Sequence, residues 1–110
     1  MANTFKNAYL DVTSSAQTIY TAPASTTSIV LTLRATNVDG ASDDTITAEV
    51  FNSGGTPAAK IAHTITVPAD SSIELAGTSK IVLETGDYIQ LTGGAASGDI
   101  EAFASILEIT

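Results

Sequence analysis

The sequence has no cysteine, no tryptophan, a single histidine, three prolines and only four basic residues against twelve acidic ones. Without cysteine there can be neither a disulfide framework nor a thiolate metal site. Lys6, Arg34, Lys60 and Lys80 are scattered through a chain of net charge -8, so they do not form the basic patch that nucleic-acid binding requires. No run of 18 apolar residues occurs, so no membrane-spanning helix is expected. The opening residues lack the cationic and apolar segments of a secretory signal, and no export is expected. Aromatic residues make up only 5% of a chain that is 44% hydrophobic, so the core must be built from Ile, Val, Leu and Ala.

What is present is alternation. Ile29, Leu31, Leu33 and Ala35 are spaced to share one face of a strand, with Thr32, Arg34 and Thr36 on the other. Ile46, Ala48 and Val50 alternate with Thr45, Thr47 and Glu49, and Ile61, His63, Ile65 and Val67 are expected to form the next inward face. Ile73 and Leu75, Ile81 and Leu83, and Ile89 and Leu91 repeat the pattern in shorter strands. Turn chemistry separates them at Asp39-Gly40, Asn52 to Pro57, Pro68 to Ser71, Ala76 to Ser79, Glu84 to Asp87 and Gly93 to Gly98. The last segment sets Phe103, Ser105, Leu107 and Ile109 against Ile100, Ala102, Ala104 and Ile106. Both of its faces are apolar, as expected of a central strand or of one covered by another subunit. Tyr9 to Val12 and Thr18 to Thr21 read as weaker strands, and residues 1–8 as a candidate flexible N-terminal arm.

About 7 to 9 strands at this spacing predict an all-β chain, a single antiparallel β-sandwich domain over residues 1–110, jelly-roll-like or immunoglobulin-like. A helical period of 3.6 never persists.

Reactive chemistry is sparse. His63 falls among apolar neighbours and reads as a core or interface histidine. Asp39, Asp43 and Asp44 crowd one loop but lack the spacing of a calcium-binding hand, and Glu84 and Asp87 bracket Gly86 as in an ordinary turn. No Gly-x-Ser-x-Gly elbow is present. The expectation is therefore no catalytic residue, no cofactor, no metal and no enzyme. Tyr9, Tyr20 and Tyr88 are the rings available for stacking on a sugar, with Tyr88 expected to be exposed. Phe5, Phe51 and Phe103 read instead as core or subunit contacts.

The segments Ile19-Tyr20-Thr21-Ala22-Pro23-Ala24, Ile29-Val30-Leu31 with Asn37-Val38-Asp39-Gly40, Thr66-Val67-Pro68-Ala69, Ile81-Val82-Leu83-Glu84-Thr85-Gly86-Asp87 and Ser105-Ile106-Leu107-Glu108-Ile109 resemble small structural proteins of tailed bacteriophages. The resemblance implies a virion component, assembled in the host bacterial cytoplasm. Its expected role is that of a capsid decoration or cement protein that stabilises the head shell by binding the major capsid protein or another virion protein. Tail, neck or fibre components, and a carbohydrate- or receptor-binding module, are the alternatives. A homo-oligomer is expected, with a trimer as the favoured form. Phe5, Tyr9, Phe103, Leu107 and Ile109 are the candidate subunit or capsid interface, without nucleic acid or membrane as partners.

Overall fold

Nine strands follow one another in chain order: β1 (Asn3–Val12), β2 (Gln17–Thr21), β3 (Thr27–Asn37), β4 (Asp44–Phe51), β5 (Pro57–Val67), β6 (Ser72–Glu74), β7 (Ile81–Leu83), β8 (Tyr88–Gly93) and β9 (Ile100–Ile109). The structure, a computed structural model, describes residues 2–76, 80–96 and 98–110. Residues 77–79 of the expected turn at 76–79 and residue 97 of the small-residue loop at 93–98 lie outside the described residues. Among those residues no helix forms.

The strands make two antiparallel sheets. The first has the order β1-β9-β3-β6, with β7 also pairing β3, and the second has the order β2-β8-β4-β5. This order comes from a long ribbon rolled on itself. The pairs β1·β9, β2·β8, β3 with β6 and β7, and β4·β5 are the rungs of one extended hairpin. The pairs β3·β9 and β4·β8 close the roll. The sandwich is therefore a jelly roll rather than immunoglobulin-like. The tip of the ribbon is the β4–β5 turn, where Gly55 takes φ 86° and its N–H donates to the Asn52 carbonyl at 2.8 Å.

The inner faces of both sheets meet in one core. Among the described residues, every buried apolar side chain is Val, Ile, Leu or Ala, as the composition requires. Small residues sit beside large ones across the ladders, Ala104 opposite Leu33 and Ala48 opposite Leu91, so that the layers interdigitate without aromatic bulk. Ile46, Ala48, Ile89 and Leu91 occupy the inward positions expected of them.

Two strands change phase along their length. In β3 a register shift at Leu31 puts Ser28 and Val30 inside before it, and Leu33, Ala35 and Asn37 inside after it. Ile29 and Leu31, expected inside, are only half-buried. In β5 a bulge at His63 and Thr64, with Thr64 at φ 48°, places Ala62 and Val67 inside while His63 is exposed. A bulge inserts one residue against the partner strand, so side chains beyond it swap faces relative to strict alternation.

The N-terminal segment also differs from expectation. Residues 3–8 are not a free arm but the first part of β1, paired residue for residue with β9 from Asn3 opposite Ile109 to Val12 opposite Ile100. The backbone groups of Ala2 and Thr110 extend this ladder, with N–H to carbonyl distances of 3.3 and 3.0 Å. The strand was illegible because its inward positions there are Thr4 and Lys6, which are exposed and break the apolar alternation.

Candidate functional site

The last strand places the site. β9 lies between β1 and β3, so its apolar double face is explained on the inner side by Ile100, Ala102, Ala104 and Ile106 packing in the core. Its outer side carries Phe103, Ser105, Leu107 and Ile109, all half-buried. Cross-strand partners share a face, so the ladders assemble the outer surface row by row. One row runs Phe5, Leu107, Ile29, Val82 across β1, β9, β3 and β7. A second runs Tyr9, Phe103, Arg34, Glu74 across β1, β9, β3 and β6. Tyr9 and Phe103 lean on each other with ring centroids 5.4 Å apart.

All five residues expected at an interface, Phe5, Tyr9, Phe103, Leu107 and Ile109, thus lie on this one outer face. Phe5 is 73% exposed, Tyr9 71% and Val82 59%. Neither Phe5 nor Phe103 belongs to the core. Ile29 and Val82 complete the surface, and sequence reading missed both. Ile29 was hidden by the phase change at Leu31, and Val82 by a strand too short to show alternation. A shallow depression opens beside the Tyr9 and Phe103 pair, lined also by Asp11, Arg34, Thr36 and Glu101.

A polar cluster lies inside the sandwich at the end where β1 meets β9. Glu108 is 6% exposed and receives the Tyr20 hydroxyl at 2.5 Å and the Lys6 ammonium at 3.3 Å. The Ser28 hydroxyl lies 2.7 Å from the Tyr20 oxygen. Because the phenol has one proton and gives it to the carboxylate, Ser28 donates to Tyr20. Burial, reinforced by the hydrogen bond to Glu108, pushes the Tyr20 hydroxyl up to about 12. Tyr20 is thereby engaged in tying β2 of the second sheet to β3 and β9 of the first, and is not a stacking platform. Tyr88 is half-buried rather than exposed, stacked on Phe51 at 5.1 Å and 3°.

The remaining candidates are occupied by backbone. Asp39 accepts from the N–H of Ala41 at 2.8 Å, Asp43 from Ala69 at 3.0 Å, and Asp44 from Thr45 and Gly94 at 2.7 and 3.0 Å. Asn37, fully buried, donates to the carbonyls of Ser42 and Val67 and accepts from the Asp39 N–H, closing the same loop. Asp87 accepts from the Glu84 N–H at 3.1 Å in a turn whose Gly86 has φ 86°. An alanine there would be strained, and its Cβ would lie 2.6 Å from Cβ of Ser53. Among the described residues, no group of three or more His, Asp or Glu side chains is gathered as a metal site would require.

No protein-family model matches the chain, and no curated protein matches it in sequence. Solved structures do match in fold. A protein of the Bacillus endospore appendages, described as disulfide-linked pili, aligns with 99% of this chain and 87% of its own, with a TM-score of 0.58 and 17% identity. A protein of the infectious bursal disease virus T13 particle aligns with 96% of this chain at a TM-score of 0.54 and 9% identity. Its counterpart from the Gx strain covers 98% at a TM-score of 0.54 and 12% identity. This chain spans 30% of each viral protein. At such identities the likeness is one of fold: the chain is an antiparallel β-sandwich of the kind found in an assembled viral particle and an assembled bacterial appendage.

Proposed function

We propose that this chain is a structural subunit of a virion, a decoration or cement protein that binds the shell of a bacteriophage-type particle through the outer face of its first sheet. The observation that carries the reading is the convergence of Phe5, Leu107, Ile29 and Val82 in one outer row, exposed at Phe5 and Val82 and half-buried between them, with Tyr9 and Phe103 on the same face. An apolar outer face on an otherwise acidic surface is costly to leave in water and suits a permanent contact. The fold supports the reading, being shared with proteins of a viral particle and of an appendage. Disulfide linkage, as in the appendage, is closed to a chain without cysteine, so assembly here rests on non-covalent contact. Assembly in a bacterial cytoplasm agrees with that chemistry.

Quantitative mass spectrometry of purified particles tests the proposal. A decoration protein is present in many copies, in fixed ratio to the major shell protein, and particles lacking it break at lower temperature. A few copies per particle would move the chain to the tail or neck, and its absence from particles would overturn the reading. The depression between Tyr9, Asp11, Arg34, Glu101 and Phe103 favours a second reading, a carbohydrate-binding module, since it combines rings with charged hydrogen-bonding groups. Glycan-array binding lost in Tyr9→Ala would support that reading, and a silent array would remove it.

A further inference from the structure

The edges of the sandwich are unequal. β5 begins at Pro57 and has three register shifts against β4. β2 is five residues long with one shift, and β6 and β7 have three residues each. Shortness, proline and bulges are among the devices by which proteins prevent an open edge from recruiting another strand, as are charged side chains. β1 has none of the first three, and its one lysine, Lys6, is engaged by its own Glu108. The strand is ten residues long, free of proline, and in unbroken register with β9, at the end of its sheet.

We propose that β1 pairs antiparallel with β1 of a second copy of this chain, about a two-fold axis at Asn7, joining two first sheets into one. The backbone decides which residues can meet. Ala2 and Thr110 exchange both of their hydrogen bonds, and in an antiparallel ladder such pairs alternate. The even-numbered residues of β1 therefore bond to β9, and Asn3, Phe5, Asn7, Tyr9 and Asp11 turn their N–H and carbonyl groups to the open edge. A symmetric pairing must bring odd residues opposite odd ones.

Side chains select among the registers this allows. Centred on Lys6, the pairing sets two ammonium groups directly opposite each other, which is unfavourable. Centred on Ala8, it sets Phe5 against Asp11. Centred on Asn7, it sets Phe5 against Tyr9 twice, Asn3 against Asp11 twice and Asn7 against itself, with Lys6 opposite Ala8 and still held by its own Glu108. Aromatic cross-strand pairs are among the most favourable. The residues from Asn3 to Asp11 are self-complementary, as an isologous contact requires. The outer apolar row then runs without a break from Phe103 and Tyr9 of one copy to Phe5 and Leu107 of the other. A two-fold pair is thus the elementary contact, where the sequence suggested three-fold assembly. It stands independently of shell binding.

The purified full chain should sediment at twice the monomer mass at high micromolar concentration. Asn7→Pro removes an outward N–H without touching the β9 ladder, and should leave a folded monomer by circular dichroism and sedimentation. In the cysteine-free background, Asn7→Cys should oxidise to a covalent dimer, since hydrogen-bonded antiparallel partners lie about 5.5 Å apart at Cα. Asn3→Cys and Asp11→Cys should cross-link efficiently only when mixed. A parent chain that stays monomeric, a folded Asn7→Pro that associates like the parent, or an Asn3→Cys that dimerises alone as fast as Asn7→Cys would overturn the pairing. A chain that dimerises but does not bind particles would count against the shell reading alone.

Discussion

The two sheets are alike inside and opposite outside. Inside, each contributes Leu, Ile, Val and Ala to a common core. Outside, the second sheet presents Thr45, Thr47 and Glu49 of β4 with Gln90 and Thr92 of β8, a hydrated surface with a Glu49–Lys60 ion pair at 3.4 Å and one aromatic stack at its end. The first sheet presents Phe5, Tyr9, Ile29, Val82, Phe103 and Leu107 in the equivalent place. Folding alone does not require this asymmetry, because a sandwich is stable with two wet faces. The difference makes the first sheet the face on which the proposed contacts rest.

If the inner faces are equivalent, Leu33→Ala in the first sheet and Leu91→Ala in the second should destabilise the fold by similar amounts, about 2–5 kcal/mol each, in urea denaturation. Both leucines are fully buried. A much smaller loss for one would break the symmetry of the core. Tyr20→Phe removes the hydroxyl that joins the sheets and leaves Glu108 with Lys6 alone, costing about 1–3 kcal/mol. The same variant sharpens the pH profile. In the unfolded chain the phenol ionises near 10, whereas in the fold it keeps its proton up to about 12. Its contribution is fully present below pH 10 and is lost as pH rises toward 12, so the parent should lose more stability than Tyr20→Phe across that window. The smallest effects separate the outer faces. Phe5→Ser and Thr92→Val should each alter stability by no more than about 0.5 kcal/mol, but only Phe5→Ser should weaken association in sedimentation equilibrium.

Much of this was legible from residue order. The two-residue alternation marked β3, β4, β5, β8 and β9 because each has an apolar inner face and a polar or mixed outer one. Phe103, Leu107 and Ile109 stood out because both faces of the last strand are apolar, whereas their meeting with Phe5 and Tyr9 on one outer face comes from the β1·β9 ladder, which residue order does not show. The phase of β3 and β5 was not, since a bulge is a pairing event between strands and leaves no mark in the alternation itself. That is why His63 was placed inward and Ile29 was not seen as part of the surface. The first half of β1 was missed for a related reason: its strand character comes from pairings with residues of β9, far away in sequence. The jelly-roll order likewise depends on contacts between distant segments, which periodicity does not encode.

The position of β9 between β1 and β3 has a consequence for synthesis. The second sheet draws on nothing beyond Gly93, so all of its strands are available once that residue has emerged. The first sheet has no direct β1·β3 ladder and waits for Ile100 to Ile109. Since domains fold as their segments leave the ribosome, the apolar row from Phe5 to Val82 does not exist as a surface until those last residues are made. A product truncated before Ile100 would carry every apolar residue of β1 and β3 but could not align them. The surface proposed for assembly is in this way restricted to chains that have been synthesised through the final strand.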